Sequence, residues 1–120
     1  MGVPGAGNGV TPMQEMSNKE YIKSCLSNRA LLEQLAEEAA EVSQAALKLI
    51  RTMPNSENPT PVTFNEGCEK LTEELFDIVI AADILGLTLS TEAIKDDHPK
   101  LVRWAERLRA KEAAERATLP

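Results

Sequence analysis

Two stretches of this chain, 36 positions apart, carry the same alternation of apolar and acidic residues. The first reads Leu35-Ala36-Glu37-Glu38-Ala39-Ala40-Glu41-Val42; the second reads Leu71-Thr72-Glu73-Glu74-Leu75-Phe76-Asp77-Ile78. Apolar side chains return every three or four residues in both: Leu35, Ala39, Val42, Ala46 and Leu49 in one, Leu71, Leu75, Ile78, Ala82 and Leu85 in the other. That spacing is the period of a helix with one buried face. Two long amphipathic helices therefore dominate what the chain can become, and their stripes run in step.

The punctuation agrees. The first helix is expected from Asn28, a possible N-cap, to Arg51, and Pro54 stops it. Residues 52–63, with Pro54, Pro59 and Pro61 among Asn and Ser, are a loop. The second helix is expected from Asn65, most simply its N-cap, to Leu85, with Gly86 as the residue that ends it. Residues 18–27 suit a short helix, and residues 87–98 a turn and short helix with Ser90 as a possible cap. Pro99 suits the first position of a last helix running to about Ala117, with Leu101, Trp104 or Ala105, and Leu108 facing inward. The Gly-, Pro- and Asn-rich residues 1–17 read as a flexible tail, leaving 18–120 as one domain. The best β-like run, Ile78-Val79-Ile80, lies inside a helical pattern. The expected fold is all-α, a bundle of about four helices.

Composition narrows the function. Aromatic residues are only 3% of the chain, so the core is aliphatic and small, and oligomerisation is expected to supplement it. The net charge is −6 with no basic stripe, which argues against a nucleic acid polymer as partner. No apolar run approaches the roughly 20 residues of a membrane span. Cys25 and Cys68 have no metal or redox spacing, as expected of reduced thiols in a cytoplasmic protein.

The acids are the informative residues. Side chains three apart on a helix lie about 60° from each other, so Glu38 and Glu41 project together, as do Glu74 and Asp77. Both pairs sit on the shoulder of an apolar stripe. When the stripes pack, four carboxylates can meet at the seam, at a cost in repulsion and lost hydration that a cation would offset. An all-oxygen ligand set suits a hard ion such as Mg²⁺, and with His98 the only histidine, zinc is disfavoured. The plain alternative is two solvated helix faces.

Glu37-Glu38-Ala39-Ala40-Glu41 on one helix and Glu74-Leu75-Phe76-Asp77 on another resemble the signature of the MazG-like, all-α nucleotide pyrophosphohydrolases. The likeness extends over residues 32–51 and 66–87. It implies a helical bundle of the all-α NTP pyrophosphatase type, assembled as a homodimer or homotetramer. It implies Mg²⁺, sometimes Mn²⁺, held by Glu38, Glu41, Glu74 and Asp77, with Glu37 orienting or deprotonating the attacking water. The implied reaction splits a nucleoside triphosphate between its α and β phosphates, giving a monophosphate and pyrophosphate. Related substrates are phosphoribosyl-ATP and (d)UTP- or dCTP-like nucleotides. Two features differ from the family pattern. The Pro-rich loop lengthens the spacing from Glu41 to Glu74, and Asp96-Asp97-His98-Pro99-Lys100 stands where a Lys- and Asn-containing segment often follows.

Cations must meet the phosphates. Lys48 and Arg51 lie two to three turns beyond the acids on the first helix, and Lys48 shares the azimuth of Glu41. Arg103 and Arg107, one turn apart on the last helix, are candidates across a subunit boundary. Solvated surface charge is the alternative for all four. Trp104 is assigned to packing, His98 to a surface helix start, and Asp83 lies outside the site. A helical oligomerisation or binding module with merely superficial acids is the competing class of function.

Overall fold

A computed structural model describes residues 15–87 and 95–120. The described residues are helical, with no strand: α1 (Asn18–Cys25), α2 (Asn28–Arg51), α3 (Phe64–Ile84) and α4 (Pro99–Ala117). The chain falls into two compact units, residues 1–88 with α1 to α3 and residues 89–120 with α4. Most of the expected tail, and the expected short helix capped by Ser90, lie outside the described residues.

Each helix begins where a side chain takes an orphan backbone N–H. Ser17 and Glu20 form a reciprocal capping box at α1. Ser27 Oγ accepts from Ala30 N at 3.1 Å, so Ser27 and not Asn28 caps α2. Thr63 Oγ1 accepts from Glu66 N at 3.1 Å, so Thr63 and not Asn65 caps α3. In both cases the hydroxyl one or two residues earlier has the extended backbone a cap requires, and the asparagine is already helical. At α4, Pro99 opens the helix and His98 Nδ1 accepts from Lys100 N at 3.1 Å. Gly86 adopts φ +80 and closes α3, a left-handed step that glycine takes without steric cost.

The core of the first unit is the seam between α2 and α3. The helices are antiparallel, because later positions on α3 meet earlier ones on α2: Gly67 stands against Leu49 and Thr52, Glu74 against Glu41, and Asp77 against Glu38. Leu31, Ala45, Ala81, Ala82 and Ile84 are the buried apolar residues. Of the expected stripe residues, Ala82 is buried and Leu35, Val42, Ala46, Leu49, Leu71, Ile78 and Leu85 are half-buried, and the small residues at 45, 67, 81 and 82 are all buried. Ala39 and Leu75, expected in the stripes, are exposed, while Ala45 and Glu74 turn inward. The seam therefore takes in most of both stripes and extends to Ala45, Ala81 and Glu74 beside them.

α1 leans on α3, where Lys19 and Asp83 form an ion pair between the two helices. Asp83 thus has a structural partner of its own. α4, described by itself, has no fully buried residue. Leu101 and Ala105 are half-buried, and Trp104 and Leu108, expected inside, are exposed. No described helix is long and apolar enough to cross a membrane. Cys25 and Cys68 are both free.

Candidate metal centre

Packing of α2 on α3 brings the four sequence-designated acids together. Glu38, Glu41, Glu74 and Asp77 each offer a carboxylate oxygen, and these oxygens all lie within 4.8 Å of one another. Glu74 is buried at 5% exposure, Glu38 and Asp77 are half-buried, and Glu41 is exposed. Because the repeat packs against itself antiparallel, equivalent positions meet equivalent surroundings. Glu38 and Glu74 occupy one kind of place, Glu41 and Asp77 the other.

Glu38 and Glu74 are each tied down one turn back on their own helix. Gln34 Nε2 donates to Glu38 Oε1 at 2.7 Å. Lys70 Nζ pairs with Glu74 Oε1 at 2.8 Å and reaches Glu73 Oε2 at 3.8 Å. Gln34 and Lys70 are themselves equivalent positions of the repeat. In both acids the remaining oxygen, Glu38 Oε2 and Glu74 Oε2, is buried with no hydrogen-bond donor. Buried polar atoms of proteins are nearly always paired, so two carboxylate oxygens without donors, both on acids of this cluster, call for an explanation.

A shared proton is one explanation. Glu41 is held above the ordinary carboxylate range chiefly by a hydrogen bond with Glu74, then by the charges of Glu38 and Glu74. Burial raises Asp77 most, followed by the charges of Glu38 and Glu74. Glu74 is lowered, first by the hydrogen bond from the Lys70 ammonium, with burial opposing it. Lys70 is raised in turn, by Glu74 first and Glu73 next. The cluster therefore divides its labour: Glu74 holds charge, while Glu41 and Asp77 hold protons more readily than isolated acids. Four carboxylates with oxygens this close form an all-oxygen donor set, the kind that suits a hard divalent cation such as Mg²⁺ or Mn²⁺.

Beside the acids opens a groove of about 260 Å³, lined by Glu41, Gln44, Ala45, Lys48, Lys70 and Glu74. A second concavity, lined by Gln44, Leu47, Lys48 and Arg51, continues it along α2. Lys48 and Arg51, singled out from sequence, thus face a channel that starts at the carboxylates. Neither forms an ion pair among the described residues. Glu37 is exposed and stands outside the four-acid cluster. Arg103 and Arg107 are exposed one turn apart on α4, in the second unit. Sequence reasoning missed Gln44 and the clamping roles of Gln34 and Lys70. The signal was available, since Gln34 and Lys70 each precede an acid by four residues at matching places in the repeat.

Fold and site together define an all-helical protein with a four-carboxylate cluster at a helix–helix seam. No protein-family model, curated protein or solved structure matches the chain.

Proposed function

We propose that this chain is a Mg²⁺-dependent nucleotide pyrophosphohydrolase of the all-α type, splitting a nucleoside triphosphate into a monophosphate and pyrophosphate. The observation that carries the proposal is the pair of buried, donor-less oxygens of Glu38 and Glu74 inside a cluster of four carboxylates. Solvated surface acids would have no such orphans. Glu38, Glu41, Glu74 and Asp77 hold the cation. When bound, it neutralises phosphate charge and acidifies water for attack.

The rest of the reaction falls to the chain's own groups. Gln34 orients Glu38 by donating to it, and Lys70 neutralises Glu74 while the cluster holds no cation. Glu37 is assigned to orient or deprotonate the attacking water. Lys48 and Arg51 line the channel that receives the outgoing pyrophosphate, whose charge they complement. Phosphoryl transfer needs positioning and charge neutralisation more than covalent help, and the site offers those two things.

The chain also acts as a homodimer or homotetramer in this proposal. Phe76 is 64% exposed and Ile80 55%, one turn apart on α3, and Thr72, Leu75, Phe76 and Val79 line an apolar groove beside them. The buried core is mostly alanine, too small to account for the stability of a lone unit of this size. The same apolar face supports a second reading, a non-catalytic helical module that assembles through it.

Incubating the protein with a panel of nucleoside triphosphates, deoxynucleotides and phosphoribosyl-ATP in Mg²⁺, and measuring pyrophosphate release, separates the two. Release that disappears in chelator and in Glu38→Ala is the expected result. A folded protein that turns over none of them leaves the module.

A further inference from the structure

We propose that Lys70 changes partners: it is the counter-ion of Glu74 while the carboxylate cluster is empty of cation, and with Lys48 it walls a diphosphate-binding groove once a cation is held. The proposal rests on reading the four acids as a cation site.

Three observations carry it. First, Glu74 is nine-tenths buried and divides its oxygens. Lys70 Nζ lies 2.8 Å from Oε1, while Oε2 is buried without a donor. The ammonium thus neutralises the most enclosed acid of the cluster at one oxygen and leaves the other buried without a donor. Second, the Lys70 side chain is itself 58% exposed, so its stem can swing with little loss of packing. Third, Lys70 and Lys48 come from different helices yet line the same groove, with Gln44 and the acids Glu41 and Glu74. A dication beside Glu74 repels the ammonium and supplies the missing charge. The ammonium, which also reaches Glu73 Oε2 at 3.8 Å, already borders that groove. Two ammonium groups and an amide donor flanking a cavity next to a cation site match a diphosphate, which has oxygens to offer both to the cation and to the lysines.

The internal repeat supplies the control. At the equivalent place Gln34 clamps Glu38 through a neutral amide at 2.7 Å. Orienting an acid there needs a donor but no charge, so the positive charge at position 70 serves something more than orientation.

Lys70→Gln copies the first repeat, keeping a donor for Glu74 while removing the charge. The full-length protein is titrated with Mn²⁺ alone, followed by electron paramagnetic resonance, and then with inorganic pyrophosphate at saturating Mn²⁺, followed by calorimetry. In Lys70→Gln, Mn²⁺ binding is expected to tighten by up to about fivefold, the upper range for a half-exposed ion pair. Pyrophosphate binding is expected to weaken at least about tenfold, as for a lost charge-assisted hydrogen bond. Lys48→Met should weaken pyrophosphate with Mn²⁺ affinity unchanged. Opposite signs for the two ligands at position 70 are something a merely structural lysine would not produce. Lys70→Met, which keeps the stem, repeats the measurement if the glutamine variant unfolds by circular dichroism. Mn²⁺ affinity that is unchanged or weaker in a folded Lys70 variant, or unaltered pyrophosphate affinity, overturns the proposal while the cation site stands. A wild-type protein that binds no Mn²⁺ overturns both.

Discussion

Gly67 governs how closely α2 and α3 approach, and the site depends on that closeness. A Cβ placed on Gly67 would lie 3.0 Å from Leu49 Cδ1, and 3.7 Å from both Leu49 Cα and Thr52 Cγ2. The last two are ordinary contacts. The first is about 0.5–1 Å inside the favourable carbon–carbon separation. Gly67→Ala therefore adds strain of about 1–3 kcal/mol, against a gain of about 1 kcal/mol from replacing glycine inside a helix. The net expectation is a loss of about 1 kcal/mol, or a Tm lower by about 4–8 °C for a unit of this size.

The origin of that loss can be isolated. Leu49→Ala removes the one clashing methyl, so in that background Gly67→Ala should stabilise by about 0.5–1 kcal/mol, the propensity gain alone. The change of sign corresponds to a coupling of about 2 kcal/mol between the two positions. Urea unfolding followed by circular dichroism at 222 nm, with an unchanged m-value, measures all four corners of the cycle. Gly67→Ala with the same sign and size in both backgrounds would refute the close-approach argument. The helix spacing would then be set elsewhere in the seam.

Three further expectations follow from the cluster and the apolar face. Asp77→Asn should raise the Tm of the chelator-treated protein, because it removes a charge disfavoured by burial and by Glu38 and Glu74 while an amide can still donate to Glu74. The same variant should lose the Mn²⁺-induced stabilisation of the wild type, which is about 2.7 kcal/mol at an ion concentration a hundredfold above Kd; a variant that is destabilised without metal contradicts the assignment. In chelator, Glu41 and Asp77 titrate above their ordinary values of 4.5 and 3.8, so the folded state binds more protons than the unfolded one just above those values. Stability should rise as pH falls from neutral towards the ordinary value of 4.5, then decline as the depressed Glu74 titrates below it, and Mg²⁺ should flatten the rise; thermal scans across pH that show no rise in chelator would count against the cluster. Glu placed at both Phe76 and Ile80 should lower the mass measured by light scattering to that of the monomer with helicity retained, and an unchanged mass would place the interface elsewhere.

Much of this protein is written locally. Helix existence follows from the three- and four-residue return of apolar side chains, and three of the helix ends from Pro54, Gly86 and Pro99, because these signals act over one or two turns of backbone. The two acid pairs were likewise legible, since residues three apart share a face in any helix. How deeply each residue of the seam is buried was not. A reading by hydrophobicity centres the contact on the large aliphatic side chains. Burial is in fact deepest at Leu31, Ala45, Ala81, Ala82 and Ile84, and Gly67 meets Leu49 closely, since small residues permit an approach that larger ones forbid. That packing buries Glu74, exposes Leu75, and leaves one oxygen each of Glu38 and Glu74 buried without a donor. Hydrophobic periodicity reports which residues prefer to leave water. Which of them touch is decided by fit between two helices, a property of the pair that neither stretch of sequence carries alone.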